Sequence, residues 1–168
     1  MRRAYVGLGA NVGDRLAALQ GAVAALDARA DTDVVARSEV YETEALVRPG
    51  AAAQPDHLNA AVALDTTLRP SALLRVLHAV ERAAGRRPDA PRWAPRPLDL
   101  DLVLYGDCRV DRPGLHLPHP GLATRRFVLA PLADIAAGRP VPGLDRTVAD
   151  LLAACEDGLR LERTDFRL

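Results

Sequence analysis

The sequence contains no lysine, because all 22 of its basic residues are arginines. A Walker A phosphate loop needs a lysine to reach the phosphates of its nucleotide, and a Schiff-base enzyme needs a lysine amine. Both classes are therefore excluded. The 22 acidic residues bring the formal net charge to zero, so the chain as a whole is not a general binder of polyanions.

Aromatic residues, cysteines and long apolar runs are also scarce. The aromatic content of 4% disfavours a module that stacks nucleic-acid bases. Cys108 and Cys155 have no histidines near them at zinc-ligand spacing and suit a reducing cytosol. No apolar run approaches the ~20 residues that span a bilayer, and no signal-like apolar stretch follows Met1. We expect one cytoplasmic domain over residues 1–168, with neither a membrane nor a nucleic acid as its partner.

Hydrophobic periodicity divides the chain into strands and helices. The predicted elements are a strand at Ala4–Ala10, a helix capped by Asp14, strands at Val34–Thr43 and His57–Thr66, a helix from Pro70 to near Gly85, and a strand at Leu98–Tyr105. Loops are predicted over Glu44–Asp56 and Arg86–Pro97, and a further helix near Thr147–Ala154. The order β-α-β-β-α-β predicts an α+β sandwich, with a mainly antiparallel sheet covered by helices.

The strongest chemical signal is a pair of aspartates on the last of these strands. Asp99 and Asp101 are two residues apart, so their side chains point to the same face with α-carbons roughly 6.5–7 Å apart. The leucines between and beside them pack on the other face. Paired carboxylates repel each other, and Mg²⁺ bound to phosphate oxygens is the usual cation for such a pair. The alternative is a solvated acidic face on an edge strand.

Arginines precede this strand and favour the metal interpretation. The segment 82–97 contains one acid, Asp89, and several prolines that stiffen it. Its arginines are Arg82, Arg86, Arg87, Arg92 and Arg96. Guanidinium groups bind phosphate through a planar, often bidentate fork. A stiff arginine loop beside two carboxylates predicts a site for a magnesium-bound nucleotide.

Segment 92–102, RWAPRPLDLDL, closely resembles the signature of the 6-hydroxymethyl-7,8-dihydropterin pyrophosphokinase family. The resemblance extends to VGLGAN at 6–11, HLNAAV at 57–62, and PHP at 118–120 followed by Arg125 and Phe127. It implies a ferredoxin-like fold and a transferase of folate biosynthesis. That enzyme moves the pyrophosphate of ATP to the hydroxymethyl group of 6-hydroxymethyl-7,8-dihydropterin and releases AMP. We expect it to act as a monomer.

The resemblance also implies roles for individual residues. Asp99 and Asp101 match the ligands of two Mg²⁺ ions. Catalytic roles fall on these two and on Arg86 and Arg96. The residues matched to the nucleotide site are Glu81, Arg86, Arg92, Trp93, Arg96, Leu102, His119 and Arg125.

The residues matched to the pterin site are Thr43, Leu46, Asn59 and Phe127, with His57 at a position where the family often has an aromatic residue. An amide such as that of Asn59 offers both a donor and an acceptor to a pterin edge. Phe127 can stack on the ring, and Arg125 falls on the same side if the short segment 125–129 is extended.

A dinucleotide-binding domain is the main alternative. Gly7-Leu8-Gly9-Ala10-Asn11-Val12-Gly13 follows a strand and opens a helix, and Asp31 or Asp33 lies where a ribose-binding acid would fall. However, the third glycine is one residue late, and no second β-α-β unit follows to build a parallel sheet.

Overall fold

The computed structural model describes residues 1–45, 54–87 and 94–168. The strands are β1 (Arg2–Ala10), β2 (Thr32–Arg37), β3 (Tyr41–Thr43), β4 (His57–Thr66), β5 (Asp99–Tyr105), β6 (Val110–Arg112), β7 (Leu115–Leu117), β8 (Pro140–Val141), β9 (Arg146–Thr147) and β10 (Leu161–Arg163). The helices are α1 (Arg15–Asp27), α2 (Pro70–Ala83), α3 (Arg126–Ala136) and α4 (Val148–Ala153). Leu46, Arg92 and Trp93, for which site roles were predicted, lie outside the described residues.

The main sheet has the strand order β10-β3-β4-β1-β5, and β2 also pairs with β4. Each of these pairings is antiparallel. With β2 and β3 taken as the second strand of the β-α-β-β-α-β order, this is the ferredoxin-like arrangement, as predicted. The antiparallel sheet contradicts the dinucleotide-binding alternative, because that fold needs parallel strands.

The helix boundaries follow from capping and apolar spacing. The Asp14 carboxylate accepts a hydrogen bond from the Ala17 N–H (3.0 Å), which confirms the predicted cap of α1. Pro70 occupies the first turn of α2, as expected for a residue without an N–H. Thr147 and Asp150 form a capping box at the start of α4.

Helices cover both faces of the sheet. On one face, α1 and α2 bury the even-numbered residues of β4 together with leucines 98, 100 and 102. On the other face, α3 and α4 cover Tyr5, Ala63 and Leu104. No helix in the described part of the chain is long and apolar enough to cross a membrane. On the second face, the helices leave open the ends of β1, β4 and β5 where the aspartates lie.

One local prediction was wrong, and the condition placed on segment 125–129 is not met. The single strand predicted at Val34–Thr43 is broken into β2 and β3, because Ser38 interrupts it. The Ser38 hydroxyl accepts a hydrogen bond from the Ala61 N–H (2.8 Å) and donates one to the Glu39 carbonyl (2.6 Å). Segment 125–129 is not extended: α3 begins at Arg126, since its apolar residues recur at helical spacing and are buried.

Candidate active site

A pocket of about 420 Å³ opens at the uncovered ends of β1, β4 and β5, beside the start of α3. It brings together residues that are up to 152 positions apart in the sequence, from Gly7 to Leu159. The predicted site residues that line it are Thr43, His57, Asn59, Arg96, Asp99, Asp101, His119, Arg125 and Phe127. The structure therefore places the aspartate pair in one cavity with those residues matched to the pterin site that it describes, namely Thr43, His57, Asn59 and Phe127.

Glycines on β1 keep the space above the aspartates open. In the register of β1 and β5, Gly9 lies opposite Asp99, and Gly7 lies opposite Asp101. A Cβ atom at Gly9 would come within 3.3 Å of Asn59 Oδ1, and one at Gly7 within 3.4 Å of Val103 Cγ2. Both glycines were predicted only as part of the family signature and of a possible dinucleotide-binding loop, and their place in this pocket was not predicted. Their alternation at a period of two, on a predicted strand, was the available signal.

Two arginines hold Asp99. Its carboxylate accepts hydrogen bonds from Arg86 Nη1 (2.6 Å) and from Arg96 Nη1 (2.9 Å). Asn11 in turn fixes the backbone at Arg96, because its Oδ1 accepts the Arg96 N–H at 2.8 Å. This role of Asn11 was not predicted; its only signal in the sequence was a polar residue directly after a buried strand.

Glu81 supports this cluster from inside the protein and does not line the pocket. Its side chain is only 3% exposed, and it pairs with Arg86. It also accepts the Leu100 N–H at 2.8 Å. Burial raises the pKa of Glu81 to about 7, against the opposing effects of the Leu100 N–H and of Arg86. Glu81 was predicted to lie near the nucleotide; the structure places it in contact with Arg86, and neither residue lines the pocket itself.

Asp101 differs from Asp99 in its partners. In the described part of the chain its ion-pair contact is to His119, with 3.8 Å between Asp101 Oδ1 and His119 Nε2, and 42% of its side chain is exposed. Desolvation in the concave site, and then the charge of Asp99, raise the pKa of Asp101. A cation that binds beside such a carboxylate stabilises its charged form.

The donor set fits Mg²⁺ that is completed by ligands from a substrate. Within the described residues there is no group of three or more His, Cys, Asp and Glu side chains that could hold a metal ion. Two carboxylates are present instead, and Mg²⁺ is usually bound by one or two carboxylates together with water and phosphate oxygens.

His119 is fixed in one tautomer when its ring is neutral. Its Nδ1 atom accepts the Gly121 N–H at 3.1 Å, so the ring proton resides on Nε2. The backbone N–H of His119 donates to the Val103 carbonyl at 2.9 Å and ties the residue to β5. His119 therefore offers a hydrogen-bond donor toward Asp101 and the centre of the pocket.

The other end of the pocket is less charged. Asn59 Nδ2 donates to Thr43 Oγ1 at 2.7 Å, and both side chains are buried. Phe127 faces the pocket from the first turn of α3, with the Arg125 guanidinium 5.9 Å from the centre of its ring. Burial lowers the pKa of His57, so its imidazole is neutral at pH 7 and can pack against a ring.

The prediction for Leu102 requires correction. Its side chain is 4% exposed and packs in the core on the α1 and α2 face of the sheet, away from the pocket. The cause is strand alternation: Asp99, Asp101 and Val103 face the pocket, so Leu102 faces the opposite way.

Carboxylates and arginines at one end of a pocket, with an amide and an aromatic ring at the other, are typical of an enzyme that transfers phosphate groups to a flat organic substrate. The sequence model of one family, 7,8-dihydro-6-hydroxymethylpterin-pyrophosphokinase (HPPK), matches residues 5–137. The chain belongs to this family.

Relatives and solved structures agree with this assignment. The chain is 42% identical over 155 residues to a 2-amino-4-hydroxy-6-hydroxymethyldihydropteridine pyrophosphokinase of Pseudomonas aeruginosa, covering 92% of this chain and 93% of that protein. It is 45% identical over 153 residues to the protein of the same name from Methylorubrum extorquens, covering 91% and 93%. The crystal structure of wild-type Plasmodium falciparum HPPK-DHPS with SDX-DHP has a similar fold. That match has a TM-score of 0.66 at 13% identity and covers 92% of this chain but 43% of the other.

Proposed function

We propose that the chain transfers the β,γ-diphosphate group of ATP to the hydroxymethyl oxygen of 6-hydroxymethyl-7,8-dihydropterin. The products are AMP and the pterin diphosphate, in a step of folate biosynthesis. The observation that carries this proposal is that one pocket is lined both by the Asp99–Asp101 pair and by the buried Asn59–Thr43 pair. Membership of the pyrophosphokinase family supports it.

At the phosphate end, Asp99 and Asp101 would hold two Mg²⁺ ions, which neutralise phosphate charge when bound. Arg86 and Arg96 already lie at this end, because both are hydrogen-bonded to Asp99. Their guanidinium groups, with that of Arg125 and the Nε2–H of His119, are donors for phosphate oxygens. They would orient the triphosphate and stabilise the charge that develops during transfer.

At the pterin end, Asn59 and Phe127 recognise the flat substrate. The hydrogen bond to Thr43 fixes the Asn59 amide and leaves its Oδ1 as an acceptor for pterin N–H groups. Phe127 supplies a ring for stacking, with His57 as a neutral partner. Leu46, Arg92 and Trp93 remain predicted contacts to the substrates.

The reaction is tested by incubating the protein with ATP, Mg²⁺ and 6-hydroxymethyl-7,8-dihydropterin and resolving the adenine nucleotides. We expect AMP to appear only when Mg²⁺ and the pterin are both present. Formation of ADP, or nucleotide turnover that does not depend on the pterin, would contradict the proposal.

Replacing Asn59 with alanine should weaken pterin binding specifically. Losing a buried hydrogen-bonding group costs about 1–3 kcal/mol, so the KM for the pterin should rise about tenfold or more. The KM for ATP should stay within about twofold, since Asn59 lies at the other end of the pocket. Initial rates with each substrate varied in turn measure both values.

The matched control for this variant is Thr43→Ser. It keeps the hydroxyl that accepts from Asn59, so its KM for the pterin should stay near that of the wild type. A folded Asn59→Ala protein with an unchanged KM for the pterin would show that Asn59 does not contact the substrate.

We further propose that the protein is a single-domain monomer that works in the cytoplasm. Strand β10 near the C-terminus pairs with β3, so both ends of the chain belong to one sheet. Cys108 and Cys155 are free thiols, as in a reducing compartment. Light scattering on the protein as it elutes from a size-exclusion column measures its molar mass and tests the monomer directly.

A further inference from the structure

Near its C-terminus the chain passes along the pterin end of the pocket. Strand β10 pairs with β3 in antiparallel register, with Leu161 opposite Thr43. The residues just before β10 are thereby brought beside the pocket. We call Asp157–Arg160 the C-terminal strap. It lies beyond residues 5–137, which are the part that matches the family model.

The first anchor of the strap is Asp157, which reaches the start of α3. Its Oδ2 atom accepts the Arg126 N–H at 3.0 Å. Arg125 precedes this helix and does not cap it with its own side chain in the described structure. The carboxylate therefore caps a helix end from elsewhere in the chain and complements the helix dipole. This contact is one residue from Phe127, so it positions the ring that faces the pocket.

The second anchor is Arg160, which reaches the opposite wall. Its N–H donates to Glu44 Oε1 at 2.9 Å, and its carbonyl accepts the Glu44 N–H at 3.4 Å. Its guanidinium donates to Asp56 Oδ2 at 2.5 Å. Glu44 follows Thr43 at the end of β3, and Asp56 precedes His57 at the start of β4. The backbone contacts with Glu44 do not depend on the Arg160 side chain.

Leu159 lies between these anchors and lines the pocket itself. Its N–H donates to Asp157 Oδ1 at 3.1 Å, so the same carboxylate holds both Leu159 and the start of α3. The strap thus adds an apolar contact surface to the pterin end and connects the walls that carry Phe127 and Thr43.

We propose that the strap determines the affinity for the pterin substrate: Leu159 provides a wall for the ring, and Asp157 acts as a positioning residue for Phe127. This inference rests on the proposed function. It also implies that substrate recognition extends beyond the residues shared with the family model.

The test uses the full chain and measures the two substrates separately. Calorimetry gives the Kd of 6-hydroxymethyl-7,8-dihydropterin in the presence of Mg²⁺ and α,β-methylene-ATP, which cannot be cleaved between its α- and β-phosphates. Leu159→Ala and Asp157→Ala should each weaken pterin binding about fivefold or more, as for the loss of a buried wall contact or of a helix cap. The Kd of the nucleotide analogue should stay within about twofold of the wild-type value. The kcat measured separately with ATP at saturating pterin should also stay within about twofold.

Two variants serve as matched controls. Asp157→Asn keeps an oxygen acceptor for the Arg126 N–H and should recover most of the pterin affinity. Tyr41→Phe removes a different link between β3 and α3, because the Tyr41 hydroxyl is hydrogen-bonded to Asp134 (3.0 Å) outside the pocket. It should lower the melting temperature without changing the Kd of the pterin.

The inference is overturned if folded Leu159→Ala and Asp157→Ala bind the pterin as the wild type does. It is also overturned if both substrates weaken together, since that indicates a general loss of structure. If Asp157→Ala does not fold, the Kd of the pterin for Leu159→Val decides the question. This change shortens the Leu159 side chain and leaves the Asp157 cap on α3 intact. A wild-type chain that binds no pterin would contradict the proposed function itself and the strap with it.

Discussion

The Asp101→Asn variant should lose about 10³-fold or more in kcat/KM while the protein remains folded. The substitution preserves size and removes one carboxylate from the pair that would hold Mg²⁺. Stabilisation of charge by a bound metal contributes several kcal/mol to the transition state, and each 1.36 kcal/mol is a factor of ten in rate. Initial rates of AMP formation at saturating Mg²⁺ measure the loss.

The same variant should not have a lower melting temperature in the absence of ligands. The pKa of Asp101 is raised, first by desolvation and then by Asp99, so its charged form is less favourable in the folded protein than in the unfolded chain. A raised pKa means that the contribution of the group to stability is lost as pH rises through the folded pKa. The wild type should therefore lose stability relative to Asp101→Asn as pH rises from the ordinary Asp value of 3.8.

Asp65→Asn is the matched control, because Asp65 is also an aspartate on a strand of the main sheet. It pairs with Arg3 far from the pocket. Its activity should be that of the wild type. If Asp101→Asn retained activity near that of Asp65→Asn, the assignment of Asp101 to the metal would be wrong.

The second large effect is a loss of stability, which we expect for Glu81→Ala. This change leaves the Leu100 N–H without its acceptor and removes one partner of Arg86. Removing one partner of a buried ion pair costs about 3–5 kcal/mol. The lower end of this range applies because Arg86 is 27% exposed and keeps its ion pair with Asp99. A loss of about 3 kcal/mol corresponds to a fall of about 6–12 °C in the melting temperature. Thermal unfolding followed by circular dichroism measures it.

Glu81→Gln tests the charge of Glu81 apart from its hydrogen bond with the Leu100 N–H. Glutamine can still accept the Leu100 N–H, so it should keep more stability than alanine does. Because burial raises the pKa of Glu81 to about 7, the stability contributed by this group declines as pH rises from the ordinary value of 4.5 through about 7. The difference in the free energy of unfolding between the wild type and Glu81→Gln should therefore narrow over this pH range.

Asp27→Ala provides the comparison for an exposed pair. Asp27 pairs with Arg37 at the surface and also accepts the Val34 N–H, and these two contacts together contribute about 1–2 kcal/mol. A Glu81→Ala protein as stable as Asp27→Ala would show that Glu81 does not support Arg86 and β5 as described.

The sequence predicted the parts of the fold that have a strong local signal. Strand β4 was predicted with its observed ends, since ten residues with good alternation are bounded by a loop and by Pro70. The break at Ser38 was not predictable, because it depends on hydrogen bonds with Ala61, 23 residues away. Likewise α3 is capped by Asp157, 31 residues further along the chain, which a local pattern does not reveal.

The candidate site shows the same division. Alternation on β5 placed Asp99 and Asp101 on one face, and the structure bears this out with both carboxylates in the pocket. The same rule placed Leu102 on the opposite face, where the structure has it, whereas the resemblance assigned it to the nucleotide site. The role of Leu159 arises from tertiary packing and became visible only in the folded chain, whereas the alternation of Gly7 and Gly9 on a predicted strand was already a signal in the sequence.

The most direct test of the central claim is mass spectrometry of the pterin product formed with ATP and Mg²⁺. Transfer at the Asp99–Asp101 site predicts that the pterin gains two phosphate groups in one turnover, with one AMP released for each product, and that Asp101→Asn forms this product about 10³-fold more slowly. A pterin that carries a single phosphate together with ADP, or the same product from Asp101→Asn at the wild-type rate, would contradict it.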